Sequence, residues 1–177
     1  MQDATDFFAA IDNDDLPSVS YVKPDGLLDG HPASSKLDLF EGMVENILDH
    51  LKAKPELLAE TALFITFDEG GGYYDSGFIQ PVDFFGTGPR IPMIAVSPFS
   101  RGGHISHVYN EHSSFVKFVE RNWMLNTTLS TRSRDNLPNP RMDDDDNQYV
   151  PRNMPAIGDL FDLFNFDRHD RGHDGDK

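Results

Sequence analysis

The sequence predicts an α/β fold, a mostly parallel sheet flanked by helices, on three observations. Two short apolar runs, 62–67 and 91–96, read as strands buried on both faces. Two longer stretches, 37–54 and 113–123, space their apolar residues as helices do. These elements alternate along the chain, the pattern of a layered α/β protein.

Each element has its own signal. Residues 16–22 alternate and are rich in strand formers, so a short strand is expected there. A turn-dense loop follows, 23–32. From 37 to 54 the apolar positions are 37, 39, 40, 43, 44, 47, 48 and 51, one stripe of an amphipathic helix. Asp38 and Glu41 suit its positive N-terminus, and Lys52 and Lys54 its negative C-terminus. His50 on this helix reads as a surface residue. The run 62–67 is continuous and β-rich, and 91–96 follows a Gly/Pro-rich connection. From 113 to 123, Phe115, Val116, Phe118, Val119 and Trp123 mark the expected buried side. Residues 126–153 are polar and irregular, and 156–164 read as a short amphipathic helix that docks back. The tail 167–177 has no apolar content and is expected to be disordered.

Composition bounds the chemistry. A chain of 177 residues with 38% apolar content is long enough to build a core. The formal net charge of −15 repels phosphate backbones and argues against nucleic acid as a partner. It leaves a phosphate-ester substrate open, because a bound cation inverts the local field. With no cysteine, disulfides and thiolate ligands are excluded, and any metal must be held by oxygen or imidazole. No apolar run reaches the roughly 20 residues of a transmembrane segment. Residues 1–6 have neither the basic flank nor the apolar core of a signal peptide.

The sharpest chemical feature is Asp68-Glu69 at the end of the run 62–67, followed by Gly70, Gly71 and Gly72. Ligands collect at the carboxyl ends of strands in open α/β sheets. Adjacent carboxylates repel each other unless a cation lies between them, and their oxygens suit Mg, Ca, Mn or Zn. The glycines permit positive φ and close approach of backbone to a ligand. The other reading is a solvated turn with both acids facing water. His31, in Asp29-Gly30-His31-Pro32, lies in a loop, where it either meets a phosphoryl oxygen or leaving group or simply packs. His104, His107 and His112 cluster in 102–112. The first two read as loop structure. His112 opens the expected helix 112–123 and is open to a metal or phosphate contact. The acidic run 143–146 lacks the ligand spacing of a calcium loop. Residues 70–72 are not a P-loop, and no Gly-x-Ser-x-Gly elbow is present.

Taken in order, the segments LPSVSYVKP (16–24), DGHP (29–32), TFDEGGGYYD (66–75), RIPMIAVSP (90–98) and EHSSFVKFVE (111–120) resemble one family. It is the bacterial phosphoesterase family of phospholipase C and acid phosphatase type, within the alkaline phosphatase superfamily. The likeness spans about 15–165. It implies a partial alkaline-phosphatase-like domain over 1–166 that hydrolyses phosphoric esters, phosphatase-like or phospholipase C-like. Asp68 and Glu69 match the acidic pair that helps bind a divalent metal ion of unspecified identity. His31 matches a histidine facing the substrate phosphate, and His112 a late histidine on the metal side of the site. Both are thereby catalytic candidates. A periplasmic or secreted location is also implied.

Two departures bear on function. Many members have His where this chain has Ser76, and residues 77–85 look more like the acid phosphatase branch. Members also carry a Glu-Asn or Glu-His metal pair and then a Ser or Thr nucleophile, and neither block occurs here. The expectation is a C-terminal portion that lacks the N-terminal half of its domain and is inactive alone. In an intact member the hydroxyl would attack phosphorus and water would then release the phosphate. The competing expectation is a non-catalytic acidic domain that binds a cation or a protein partner.

Overall fold

Asp3 and Asp6 start the first helix by capping each other. Asp6 N–H donates to the Asp3 carboxylate at 3.0 Å, and Asp3 N–H to that of Asp6 at 3.1 Å. The helix, α1, is Ala4–Asp12. In this computed structural model, residues 3–75, 77–142 and 149–167 are described. The chain divides into two compact units, Met1–Thr66 with Met93–Pro98, and Phe67–Pro92 with Phe99–Lys177. Ser76, the acidic run 143–146 and the tail from 168 lie outside the described residues.

The first unit is built on apolar burial. Helix α2, Leu37–Lys52, matches the expected helix, and α3, Pro55–Ala59, opens on a proline whose missing N–H costs nothing at that position. Ile11, Ile47 and Leu51 are buried, with Phe7, Phe8, Leu16, Met43, Leu57, Leu58 and Leu63 packed around them. Only the C-terminal part of the α2 stripe is used, since Leu37 and Leu39 are exposed. His50 is not simply a surface residue. Its Nδ1 meets the Asp12 carboxylate at 2.7 Å, and its ring lies 4.7 Å from that of Phe8. No strand forms over 16–22. Pro17 withholds a ladder donor, and Val19 and Tyr21 stand exposed.

Strands β1, Leu63–Thr66, and β2, Met93–Val96, form where expected. They pair antiparallel, with Leu63 opposite Val96 and Thr66 opposite Met93, so the mixed helix–strand character is present while the sheet is a two-stranded antiparallel one. A parallel pair needs a crossover, commonly a helix. The connection 67–92 holds no helix among its described residues and turns the chain back. The expected burial on both faces is also absent. All four β1 residues are half-buried, and Ile94 in β2 is 59% exposed, because two strands cover little of each other's faces.

The second unit is built around α4, Ser113–Asn122. Its buried residues are Ser114, Lys117 and Phe118; of the predicted face Phe118 is buried, Phe115, Val116 and Val119 are half-buried, and Trp123 is 44% exposed. The register shifts because Lys117 finds three oxygens inside. Its Nζ donates to Leu137 O, Asn139 Oδ1 and Ile157 O at 2.5–2.7 Å. The predicted helix 156–164 shrinks to a 3₁₀ turn, Phe161–Leu163, because Leu160 adopts a left-handed conformation. The docking itself occurs, with 156–160 buried. Among the described residues no helix is long and apolar enough to cross a membrane.

Candidate functional site

The chain leaves β1 at Thr66 and reaches Asp68 and Glu69 two residues later, both exposed. The turn beneath them is well defined. Glu69 Oε2 accepts from Gly71 N–H at 2.7 Å, and Tyr73 N–H donates to Gly70 O at 3.0 Å. Gly71 and Gly72 have φ of 61° and 79°, values that a side chain would resist. Glycine is therefore required here by the backbone, as the sequence suggested.

The connection that begins with this pair is clasped along its length. Asp75 accepts from Arg90 N, Nε and Nη2 at 2.6–2.9 Å and from Gly77 N–H at 2.8 Å. The Arg90 guanidinium holds the Asp75 carboxyl far below the usual carboxylate range, with the backbone N–H groups of Arg90 and Gly77 adding to it. A Cβ on Gly77 would collide with the Arg90 side chain, so this glycine makes room for the clasp. Gln80, fully buried, exchanges two hydrogen bonds with Ala156, at 2.8 and 2.7 Å. Asp83 receives Arg134 through Nε and Nη2, both at 2.9 Å, and those bonds hold its carboxyl below the ordinary value.

His112 is brought to this loop. Its Nε2 lies 3.0 Å from Phe67 O, the carbonyl just before Asp68. A carbonyl only accepts, so Nε2 carries the proton. His31 belongs to the first unit. Its N–H donates to Asp29 Oδ1 at 2.8 Å, and its Nδ1 accepts from Ala33 N–H at 3.1 Å. With Nδ1 used as acceptor, the neutral ring carries its proton on Nε2 and is a donor there. His104 Nε2 lies 3.6 Å from the Asp162 carboxylate, and the His107 ring meets that of Tyr149 edge-on.

Among the described residues, no group of three or more His, Asp or Glu side chains is arranged to hold a metal ion. The pair Asp68–Glu69 belongs to no such group among the described residues. Its chemistry suits a hard cation, which accepts carboxylate oxygens and keeps water on its remaining positions. Exposure costs the two carboxylates little desolvation before they meet an ion. The hub Arg134–Asp83–Glu111 was not foreseeable. Arg134 sits in a polar stretch with no periodicity, and its partners lie 51 and 23 residues away.

What these features define is a class: a mixed helix–strand protein that presents an acid pair on a glycine turn at a strand exit. The chain belongs to the phosphoesterase family, whose profile matches residues 1–126. It is 28% identical to the non-hemolytic phospholipase C of Burkholderia pseudomallei, over 90% of this chain and 24% of that protein. It is 27% identical to phospholipase C B of Mycobacterium tuberculosis, over 91% of this chain and 32% of that protein. A plant relative, non-specific phospholipase C5 of Arabidopsis thaliana, is 28% identical over 59% of the chain and 24% of its own length. The chain therefore spans about a quarter to a third of the length of these three relatives.

Proposed function

We propose that this chain contributes the Asp68–Glu69 half of the metal site of a phosphoric-ester hydrolase. The carrying observation is the exposed acid pair on its glycine turn at the exit of β1, in a chain of the phosphoesterase family. A divalent cation held there would act as Lewis acid and template for the phosphoryl group. Asp68 and Glu69 supply hard oxygen ligands. His31 donates from Nε2 to a phosphoryl oxygen or to the leaving oxygen, a role favoured by the engagement of its Nδ1 with Ala33. His112 serves the metal side of the site.

The chain's likeness to phospholipases C makes a phospholipid the preferred ester. The exposed aromatics of the connection, Tyr74, Phe84 and Phe85, suit an ester with an apolar alcohol portion. No Ser or Thr of the 177 residues stands in the context the family gives its nucleophile, so we propose that turnover needs blocks these residues do not supply.

The test is hydrolysis of p-nitrophenyl phosphate and of phosphatidylcholine vesicles by the purified chain, with Mn, Mg, Ca or Zn ions, beside Asp68→Asn. The expected result is no product above background for either protein. Turnover that survives Asp68→Asn would contradict the role of the pair. Turnover abolished by that substitution would show that the chain carries its own nucleophile.

A further inference from the structure

Resting on the reading that Asp68 and Glu69 hold a cation, we infer that His112 is a positioning residue for that pair, acting through the Phe67 carbonyl. The hydrogen bond from Nε2 to Phe67 O is 3.0 Å long and links residues 45 apart in sequence. The nitrogen that makes it is protonated and directed at backbone, so it is not a metal ligand. It fixes the peptide from which Asp68 follows, and hence the direction in which that carboxylate leaves the strand exit.

The backbone behind His112 is held rigidly. His112 has helical φ and ψ of −57° and −34°, and its carbonyl accepts from Phe115 N–H at 3.2 Å. Glu111 N–H donates to the buried Ser114 hydroxyl at 3.1 Å, and Ser114 N–H returns to Glu111 O at 2.9 Å. The Glu111 carboxylate is gripped by Arg134 Nη1 at 2.6 Å, while Arg134 Nη2 donates to Asp83 at 2.9 Å and to Gly86 O at 2.7 Å. The two residues that lead into α4, Glu111 and its N-cap His112, therefore hold the 67–92 connection at two points. One is Phe67, through His112. The other is Asp83 and Gly86, through Glu111 and Arg134. Only the first lies beside the acid pair. Groups that orient ligands from behind commonly change metal affinity by about 10- to 100-fold when removed.

Two variants separate tethering from bulk. His112→Gln keeps an N–H donor, and His112→Phe keeps a ring without one. Hydrogen exchange of the 67–72 amides, read by mass spectrometry on the metal-free chain, reports the tether directly. Mn²⁺ affinity by calorimetry reports its consequence. The expectation is faster exchange and about tenfold weaker Mn²⁺ binding in His112→Phe, with both restored by His112→Gln. Unchanged exchange and affinity in His112→Phe would overturn the inference, as would losses that Gln does not restore. If wild type and Asp68→Asn take up Mn²⁺ equally, the acid-pair reading fails and the positioning role falls with it. If Asp68→Asn loses the ion and His112→Phe does not, only the positioning role fails.

Discussion

Each unit has its own interior, and the two interiors differ in their polar content. Around Ile11, Ile47 and Leu51 the first unit is stabilised by aliphatic and aromatic side chains packed across α1, α2 and α3. The second unit also buries apolar side chains, Phe118, Ala156, Ile157, Leu160 and Phe164, but sets Gln80, Ser114, Lys117, Asp135 and Asp159 among them, and Gln80, Lys117 and Asp159 bond to segments distant in sequence. Lys117 illustrates the contrast. Burial pushes its ammonium pKa down, yet three oxygens receive its protons. Burial alone would raise the Asp159 carboxyl, but bonds from Arg121 and Asn139 outweigh it and hold that group below its usual value. The acid pair sits in the unit that adds buried hydrogen bonds to its apolar core, so directional contacts fix its surroundings, whereas apolar packing is more tolerant of small displacements.

This contrast is open to direct attack. The largest effect is expected in the first unit. Leu51, 3% exposed, should cost about 3 kcal/mol when changed to Ala, read by urea denaturation and insensitive to salt. A loss below roughly 1 kcal/mol would mean that the apolar cluster does not hold that unit. Next comes Lys117→Met, which keeps the volume but strands three acceptors. About 2 kcal/mol of destabilisation is expected. An unchanged or raised stability would show that apolar packing serves the second unit as well as its polar contacts do.

The smallest effect concerns Asp75. Its folded pKa lies below the ordinary value of 3.8, so the stabilisation it gives is fully present above 3.8 and is lost as pH falls through the depressed value. Asp75→Asn should therefore melt below wild type at neutral pH, with the gap closing in strong acid. Melting curves from pH 7 to pH 2 check this, and a gap independent of pH would remove Arg90 as the cause.

The same contrast explains what the sequence reveals. Helix α2 and both strands are legible because apolar periodicity is local. Helix α1 is not, since it buries only Ile11 and depends on a box made by two aspartates. The α4 register is hidden because a lysine replaces an apolar residue on its inner face, and nothing local marks the acceptors 20 to 40 residues away. Strand direction is hidden too. The spacing between β1 and β2 is long enough for a crossover helix, and only the clasped loop between them shows that the chain turns back. At the site, the acid pair and its glycines are legible from residue type alone. The tether from His112 to Phe67 is not, because the histidine reads equally well as a ligand.

The central claim is that Asp68 and Glu69 grip a divalent cation. Calorimetric titration of the purified chain with MnCl₂, beside Asp68→Asn and Glu69→Gln, tests it most directly. The account predicts saturable binding of one Mn²⁺ by the wild type, weakened about tenfold or more by either substitution. Equal affinity in all three proteins, or none in any, would contradict it.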